Sequence, residues 1–307
     1  RLQSSTQIDS AMSGTRVAGS TPWHRVRVSD SPRTIEQLWQ RYDAMESRLT
    51  AKLSARMLAL GGVRPAMRVL DLATGRGEPA IPAALAVGPH GRVVGVDVSP
   101  TMLAMARERA RRNGIEDARL VLHAVDAAAI ADVTAASTFD LALARWGLMY
   151  MSEPRAVLAG VRRALVDGRL LVVAVWAEPE RVIYWSMPRA VLARVTAVPM
   201  RCSSLGDGAA GIFRYSSPDA LPRDLRAEGF TVEQTEDVEL AVMEAATAAD
   251  AIAWVRAFAM GRLLDGVTPD VSRAWEAEMT DELESRRGND GMIRLGGVTR
   301  IVVARAG

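Results

Sequence analysis

The chain has 307 residues, of which 49% are hydrophobic and 24% are charged, as in an ordinary globular protein. No apolar run reaches the roughly 18 residues that a membrane span needs, and the single cysteine, Cys202, excludes an internal disulfide and a multi-cysteine metal site. The formal net charge is only +2, with 38 basic residues interleaved among 36 acidic ones, which argues against a nucleic-acid surface. We therefore expect a cytoplasmic protein without a membrane span, a metal or a nucleic-acid partner.

The first part of the chain combines a polar segment with a helix. Residues 1–33 are rich in serine, threonine and glycine, so we expect a flexible leader there. Apolar residues such as Leu38, Tyr42 and Met45 then recur near helical spacing, and two glycines end the pattern. We assign residues 34–62 to an N-terminal lid helix.

Strands and helices alternate over residues 63–178, which we interpret as the core. Hydrophobic segments separated by single helices indicate parallel strands joined by right-handed crossovers. This order predicts an α/β fold, a doubly wound Rossmann-like sheet with helices on both faces. The predicted strands are residues 68–72, 92–97, 119–125, 139–144 and 170–176. The predicted helices are residues 78–86, a helix that Ser99 caps and Asn113-Gly114 ends, and residues 153–165.

The last third of the chain departs from this alternation. Residues 223–307 hold two extended segments, 231–240 and 292–306, separated by a helical insert over 248–287. Another insert, residues 179–222, follows the fifth strand. Ligands of such sheets lie beyond the carboxyl ends of the strands. We therefore expect the lid helix and the 179–222 insert to cover an active site there.

The strongest motif is a glycine-rich turn between the first strand and the next helix. Gly75 and Gly77 allow a tight turn and close approach of a ligand, and the helix that follows offers unpaired N–H groups. With Ala80 they also satisfy the G-x-G-x-x-A spacing of a dinucleotide site. Asp97 ends the second strand twenty residues after Gly77, where a carboxylate can accept ribose hydroxyls. The ribose is common to NAD and S-adenosylmethionine (SAM), so both cofactors remain open at this point.

Two further strand ends carry groups suited to a nucleoside. Asp126 follows the third strand, where an acid can accept a hydrogen bond from the adenine amino group. The fourth strand ends in Arg145 and Trp146, close to the expected point of transfer. Taken together, these motifs resemble the class I SAM-dependent methyltransferases over about residues 60–176, and among them the ubiquinone/menaquinone C-methyltransferase-like group, also called methyltransferase type 11.

This resemblance implies a seven-stranded sheet whose last strand is antiparallel, and SAM as the cofactor, with S-adenosylhomocysteine as its product. It also implies cofactor contacts residue by residue. The implied contacts are the methionine loop of Asp71, Ala73, Gly75 and Gly77, the ribose acid Asp97, the adenine face of Val98 and Met102, the adenine edge of Asp126 and Ala127, and Arg145 beside the transferring methyl.

Methyl transfer from a sulfonium needs mainly in-line alignment of the acceptor with the methyl carbon, because the methyl group is already activated. His24, in the leader, is the candidate general base, since His90 lies at the opposite end of the sheet and His123 lies inside a strand. Aromatic residues from the lid-forming segments suggest a pocket for a small aromatic or apolar acceptor. These candidate acceptor residues are Trp39, Tyr42, Trp146, Tyr150, Tyr184 and Trp185.

Two alternatives remain beside this hypothesis. An NAD(P)-dependent oxidoreductase explains the glycines and Asp97, but not Asp71, Asp126 and the terminal extended pair together. Its Tyr-Lys relay is also excluded here, because Lys52 is the only lysine and lies far upstream. A non-catalytic SAM-binding protein would keep the cofactor loop and lack an acceptor cavity. Secondary-metabolite tailoring is a hypothesis by family analogy alone, and the oligomeric state is not readable from the sequence.

Overall fold

The computed structural model describes residues 35–199 and 210–307. The expected leader over residues 1–33, the candidate base His24 and Cys202 lie outside these described residues. Within the described ranges, no helix combines the length and the apolar character that crossing a membrane requires.

The centre of the molecule is one seven-stranded sheet with the strand order β3-β2-β1-β4-β5-β7-β6. The first five strands are parallel, and β7 is inserted antiparallel between β5 and β6. The predicted doubly wound sheet with an antiparallel last strand is therefore confirmed. The strands are β1 Arg68–Leu72, β2 Arg92–Asp97, β3 Leu120–Ala124, β4 Phe139–Arg145, β5 Leu165–Trp176, β6 Phe230–Ala245 and β7 Ile293–Ala306.

Helices flank the sheet and form the two inserts. Short 3₁₀ turns occupy Ala127–Asp132, Leu148–Tyr150 and Pro179–Arg181, and a π-helical turn occupies Arg256–Met260. The α-helices of the described ranges are α1 Ile35–Leu60, α2 Ala80–Val87, α3 Pro100–Arg112, α4 Pro154–Ala164, α5 Ile183–Thr196, α6 Ala220–Ala227, α7 Ala248–Val255, α8 Gly261–Leu264 and α9 Pro269–Glu284.

Local sequence chemistry explains several element boundaries. The Ser99 hydroxyl accepts the Met102 N–H and Pro100 occupies the first turn, so α3 begins where the sequence predicts. By contrast, β5 begins at Leu165, five residues before the predicted start. Leu165 pairs with Phe139, the register then shifts, and Gly168 adopts a φ of 75°. The predicted Asp167-Gly168 turn is thus an irregularity within a longer strand.

The core of the sheet is apolar on both faces, as parallel strands covered by helices require. Leu70 of β1 and Leu143 of β4 are fully buried, and so is Val172 of β5. This packing fixes the strand ends rigidly, so the groups that follow them have defined positions.

Candidate cofactor and acceptor site

The carboxyl ends of β1 to β4 lie side by side at one edge of the sheet. Leu72 of β1 pairs with both Val96 of β2 and Ala144 of β4, while Asp97 pairs with Ala124 of β3. The glycine turn, Asp97 and Asp126 follow three neighbouring strands, so the structure brings these predicted groups together. We call residues 71–77, 97–102 and 126–127 the cofactor edge.

The glycine turn has the geometry of a ligand cradle. Gly75 and Gly77 adopt φ values of 52° and 91°, in the left-handed region that favours glycine. A Cβ on Gly75 would meet no heavy atom closer than the Ala73 carbonyl oxygen at 4.0 Å, so this side of the turn is open. Ala73 itself takes a φ of 51°, where the family loop has glycine. The open turn fits the approach of the methionine part of SAM, and Ala73 imposes a strained backbone on it.

Asp97 links the glycine turn to the start of α3. One carboxylate oxygen accepts the Gly75 N–H and the other accepts the Ser99 N–H, both at 2.9 Å. A carboxylate has about four acceptor positions, so these two bonds are compatible with ribose hydroxyls as further donors. The position of Asp97 therefore fits its predicted role, which stays a prediction.

The predicted adenine side combines apolar and polar groups. Val98 is 41% exposed, and Met102 beside it is half-buried. Ala127 is buried, whereas Asp126 is exposed and its carboxylate accepts the Ala128 N–H at 2.9 Å. An exposed apolar surface next to a carboxylate suits an adenine ring and its amino group.

Asp71 lies beneath the glycine turn as a buried acid at the carboxyl end of β1. Its burial raises the pKa of the carboxyl group to about 7, while the Thr74 hydroxyl and the Arg145 charge act in the opposite direction. The carboxyl group therefore titrates near neutral pH. Its predicted place in the methionine loop remains a prediction.

Arg145 ends β4, but its guanidinium contacts α1. Nη1 donates to the Thr50 hydroxyl at 2.8 Å, and Nη2 lies 3.5 Å from the Glu46 carboxylate. The side chain is almost fully buried there and lies 5.0 Å from the centre of the Trp146 ring. These contacts hold Arg145 against the lid helix, and its predicted contact with the transferring methyl remains a prediction.

Five of the six predicted acceptor residues belong to one continuous set of aromatic contacts. Trp146 stacks on Trp176 at 4.5 Å, and Trp176 lies 5.2 Å from Tyr184. Trp254 connects Tyr184 to Phe258, with centroid distances of 5.9 and 5.1 Å. We call this set the aromatic cluster. Its members are Trp39, Tyr42, Trp146, Trp176, Tyr184, Trp185, Phe213, Trp254 and Phe258.

The sixth predicted residue, Tyr150, lies near the cluster in the 3₁₀ turn after β4. Its phenol interacts electrostatically with Tyr184, and burial raises the pKa of both tyrosines. Both hydroxyls are therefore neutral at physiological pH.

Sequence reasoning did not identify four members of the aromatic cluster. Trp176 belongs to the predicted fifth strand, and Trp254 and Phe258 lie four residues apart in the predicted helical insert. That spacing places two rings on one helix face and is a signal that could have found them. Phe213 lies in the turns that precede α6, and no pattern in the sequence identifies it.

A cavity of about 250 Å³ lies beside the aromatic cluster. Tyr42 and Trp254 are members of the aromatic cluster and also line the cavity. Three methionines from different elements add adaptable apolar surface to the cavity. These methionines are Met45, Met243 and Met292.

Two histidines, His90 and His123, lie within the described residues. His90 lies in the turn that enters β2, at the opposite edge of the sheet, and His123 is paired within β3 opposite Val96. Among residues 35–199 and 210–307, no group of three or more potential ligands is arranged to hold a metal ion.

Comparisons with known proteins agree with this geometry. The family model described as a methyltransferase domain matches residues 64–196. A nocamycin O-methyltransferase of Saccharothrix syringae is 31% identical over 252 residues, covering 79% of this chain and 86% of the relative. A demethylmenaquinone methyltransferase of Thermus thermophilus is 31% identical over 173 residues, covering 54% of this chain and 74% of the relative.

Solved structures support the fold. A candidate methyltransferase of Bacillus halodurans aligns with a TM-score of 0.53 at 18% identity, covering 82% of this chain and 98% of that chain. The [4+2]-cyclase SpnF aligns with a TM-score of 0.53 at 22% identity, covering 89% and 96%.

The family model and these relatives are methyltransferases, so they do not support the two alternative functions, an NAD(P)-dependent oxidoreductase and a non-catalytic SAM-binding protein. The open glycine turn, the Asp97 carboxylate and the seven-stranded sheet fit SAM as the cofactor. The chain belongs to the class I SAM-dependent methyltransferases.

Proposed function

We propose that this enzyme methylates a small aromatic or apolar natural product in the secondary metabolism of its host. The observation that carries the proposal is the aromatic cluster, which begins at Trp146, directly after β4, and continues to Phe258. Rings provide a large apolar surface with few rotatable bonds, which suits a flat acceptor. The similarity to a nocamycin O-methyltransferase over most of both chains supports a natural-product acceptor and an oxygen nucleophile.

The proposed mechanism is an in-line displacement in which the protein mainly positions the reactants. Bound SAM supplies a methyl group activated by its sulfonium. The cofactor edge orients the donor, with Asp97 holding the ribose, while the aromatic cluster orients the acceptor and excludes water. In such a displacement the methyl group would pass to the acceptor oxygen as its bond to sulfur breaks, the electron pair would stay on sulfur, and a base would take the hydroxyl proton. Such alignment contributes up to roughly 7–11 kcal/mol in favourable cases.

The cavity beside the aromatic cluster supports an acceptor larger than one ring. An apolar cavity of about 150 Å³ can hold benzene, so a cavity of about 250 Å³ is large enough for a substituted ring or a branched chain. Arg41 at its margin pairs with Asp250 at 3.4 Å, so this guanidinium already has a carboxylate partner. We infer that the cavity accepts an uncharged extension of the acceptor.

The remaining assignments of the site are also proposals. His24 is the candidate base that removes the proton of the acceptor hydroxyl. Residues 34–62 and 179–222 cover the acceptor, and residues 63–178 with 223–307 form the core and its helical insert. The single cysteine fits the reducing cytoplasm, where we place the enzyme.

A methyl-transfer screen with labelled SAM tests the proposed acceptor class. Hydroxylated aromatic and apolar compounds are compared with matched compounds whose hydroxyl is already methylated, and with small polar amines. We expect label transfer to the hydroxylated apolar compounds alone. Transfer to the amines, or equal transfer to the blocked compounds, would contradict an oxygen acceptor of this class.

A second measurement tests the proposed base. His24→Ala is expected to lower kcat by about 10²-fold with the identified acceptor and to remove one limb of the pH profile. His90→Ala is the matched control, because His90 lies at the opposite edge of the sheet. An unchanged kcat across pH in His24→Ala would exclude His24 as the base.

A further inference from the structure

The lid helix α1 buries polar side chains in the middle of an otherwise apolar face. Glu46, Thr50 and Ser54 are all less than 8% exposed and follow one another at four-residue intervals. Burying such groups is costly unless each has a partner, so their position calls for specific contacts. The apolar residues on either side of them along the same face are Leu38, Tyr42, Leu53 and Met57.

The first partner is Arg76, which lies between Gly75 and Gly77 in the glycine turn of the cofactor edge (the cofactor turn). Its guanidinium pairs with the carboxylates of Asp43 and Glu46, both on α1. It also lies over the Trp39 ring, with 3.9 Å between Cζ and the ring centroid. The Arg76 side chain is only 6% exposed. A side chain of the cofactor turn is thus enclosed by three residues of the lid helix.

Arg109 of α3 connects the same turn to α1 a second time. Its Nη1 donates to the Arg76 backbone carbonyl at 2.7 Å, and its Nη2 donates to the Ser47 hydroxyl at 3.0 Å. Nη2 also pairs with Glu78 at 2.9 Å, and the Ser54 hydroxyl donates to the other oxygen of Glu78 at 2.8 Å. The backbone of the turn and its side chain are therefore both attached to the helix.

Arg145 at the end of β4 completes this buried network through Thr50 and Glu46. The network contains three arginines and three acids, so its charges balance. The arginines are Arg76, Arg109 and Arg145, and the acids are Asp43, Glu46 and Glu78. Because every arginine comes from the cofactor side and two of the acids come from α1, removing α1 would leave buried positive charge beside the cofactor turn.

We propose that Arg76 is a positioning residue that fixes the cofactor turn against α1, so that docking of α1 and binding of SAM stabilise each other. The coupling is reciprocal, because a ligand that prefers the docked state must also favour docking. The proposal concerns SAM binding and does not depend on which acceptor is methylated.

A double-mutant cycle in the full chain tests the coupling. Arg76→Met, Glu46→Gln and the double variant are compared with the wild type by calorimetric titration with SAM. We expect each single variant to raise the Kd for SAM by about 10-fold. The Kd of the double variant should exceed that of either single variant by less than about threefold, because the two changes remove one shared contact. Arg76→Lys is expected to restore part of the affinity, since it keeps the charge.

Arg56→Met provides the matched control. Arg56 also lies on α1, but it pairs with Glu236 of β6 on an exposed surface, with 2.6 Å between the charged groups. Its loss is expected to leave the Kd for SAM within about twofold of the wild type. A wild-type Kd in Arg76→Met, or effects of Arg76→Met and Glu46→Gln that simply multiply, would overturn the proposal.

Hydrogen exchange of the wild-type chain tests the same coupling without a substitution. Saturating SAM is expected to slow amide exchange in α1 by at least about fivefold, and in α4 by less than twofold. The helix α4 is a suitable reference because none of the network residues lies on it. Equal exchange of α1 with and without SAM would overturn the proposal even if the variants did not fold.

Discussion

The cofactor edge and the aromatic cluster lie at the same edge of the sheet, but they are assembled differently. The cofactor edge consists of strand ends and the turns that follow them, between Asp71 and Ala127. The aromatic cluster takes its rings from α1, from the ends of β4 and β5, from α5 and from the helical insert that begins with α7. The first region depends on local motifs and the second on packing between distant segments.

The two regions also use different interactions. The cofactor edge presents backbone N–H groups and carboxylates, as the bonds of Asp97 to Gly75 and Ser99 illustrate. The cluster presents rings, and the Trp146 indole donates its N–H to the Thr299 hydroxyl of β7 at 3.0 Å. This difference implies that substitutions can separate affinity for SAM from affinity for the acceptor.

The largest expected effect concerns Asp71 and the stability of the cofactor edge. Because its pKa is raised from 3.8 to about 7, the folded chain favours the protonated carboxyl group. Its contribution to stability is complete below about pH 4 and is lost as the pH rises through 7. Relative to Asp71→Asn, the wild type should lose up to about 4 kcal/mol of unfolding free energy between pH 4 and 8. Urea unfolding at each pH measures this difference, and a constant difference would contradict the burial argument.

Removing Asp97 should have the next largest effect, and it should be confined to the cofactor. Asp97→Ala removes the proposed ribose acceptor and leaves the Gly75 and Ser99 N–H groups without their carboxylate partner. We expect the Kd for SAM to rise about 100-fold, which corresponds to about 2.7 kcal/mol. Asp140→Ala is the control, because Asp140 accepts the Arg68 N–H at the opposite edge of the sheet. Equal losses in both variants would show that the effect is not specific to the site.

A substitution of Trp254 tests the role of the aromatic cluster in binding the acceptor. Trp254→Leu interrupts the aromatic cluster between Tyr184 and Phe258. We therefore expect the KM for the acceptor to rise about 10-fold, which corresponds to about 1.4 kcal/mol. The Kd for SAM should stay within about twofold of the wild-type value. Trp275→Leu is the matched control: Trp275 is fully buried in α9, and its indole donates to the Pro188 carbonyl outside the cluster. A similar rise of KM in both variants would mean that the cluster is structural only.

The smallest expected effect concerns the backbone of the glycine turn. Ala73→Gly removes the backbone strain of an alanine at a φ of 51°, which stabilises the folded chain. The glycine also makes the unfolded chain more flexible, which favours unfolding, so the two effects largely cancel. We expect a change in unfolding free energy of at most about 1 kcal/mol and a change in SAM affinity below threefold. Ala66→Gly, at a φ of 69° in the turn before β1, should change stability similarly and leave SAM binding unchanged. A large affinity gain in Ala73→Gly alone would show that the alanine restricts the cradle.

Local patterns allowed much of the fold and the cofactor edge to be predicted. The alternation of buried strands and helices predicted the parallel part of the sheet, and Ser99 with Pro100 predicted the start of α3. The glycine turn and Asp97 were recognisable because a strand end, a turn and a helix start follow one another directly in the sequence. The long start of β5 was missed, because the pairing of Leu165 with Phe139 and the irregularity at Gly168 depend on a neighbouring strand.

The sequence by itself therefore determined the parallel part of the sheet, the glycine turn and the acids at the strand ends, since these depend on residue periodicity and turn chemistry within a few positions. Only the tertiary structure decided that Arg145 faces Glu46, ninety-nine residues away, and that Trp254 of the helical insert contacts Tyr184 of the insert after β5. The physical reason is that such contacts arise from the packing of whole elements, whose relative placement leaves no periodic trace in the chain.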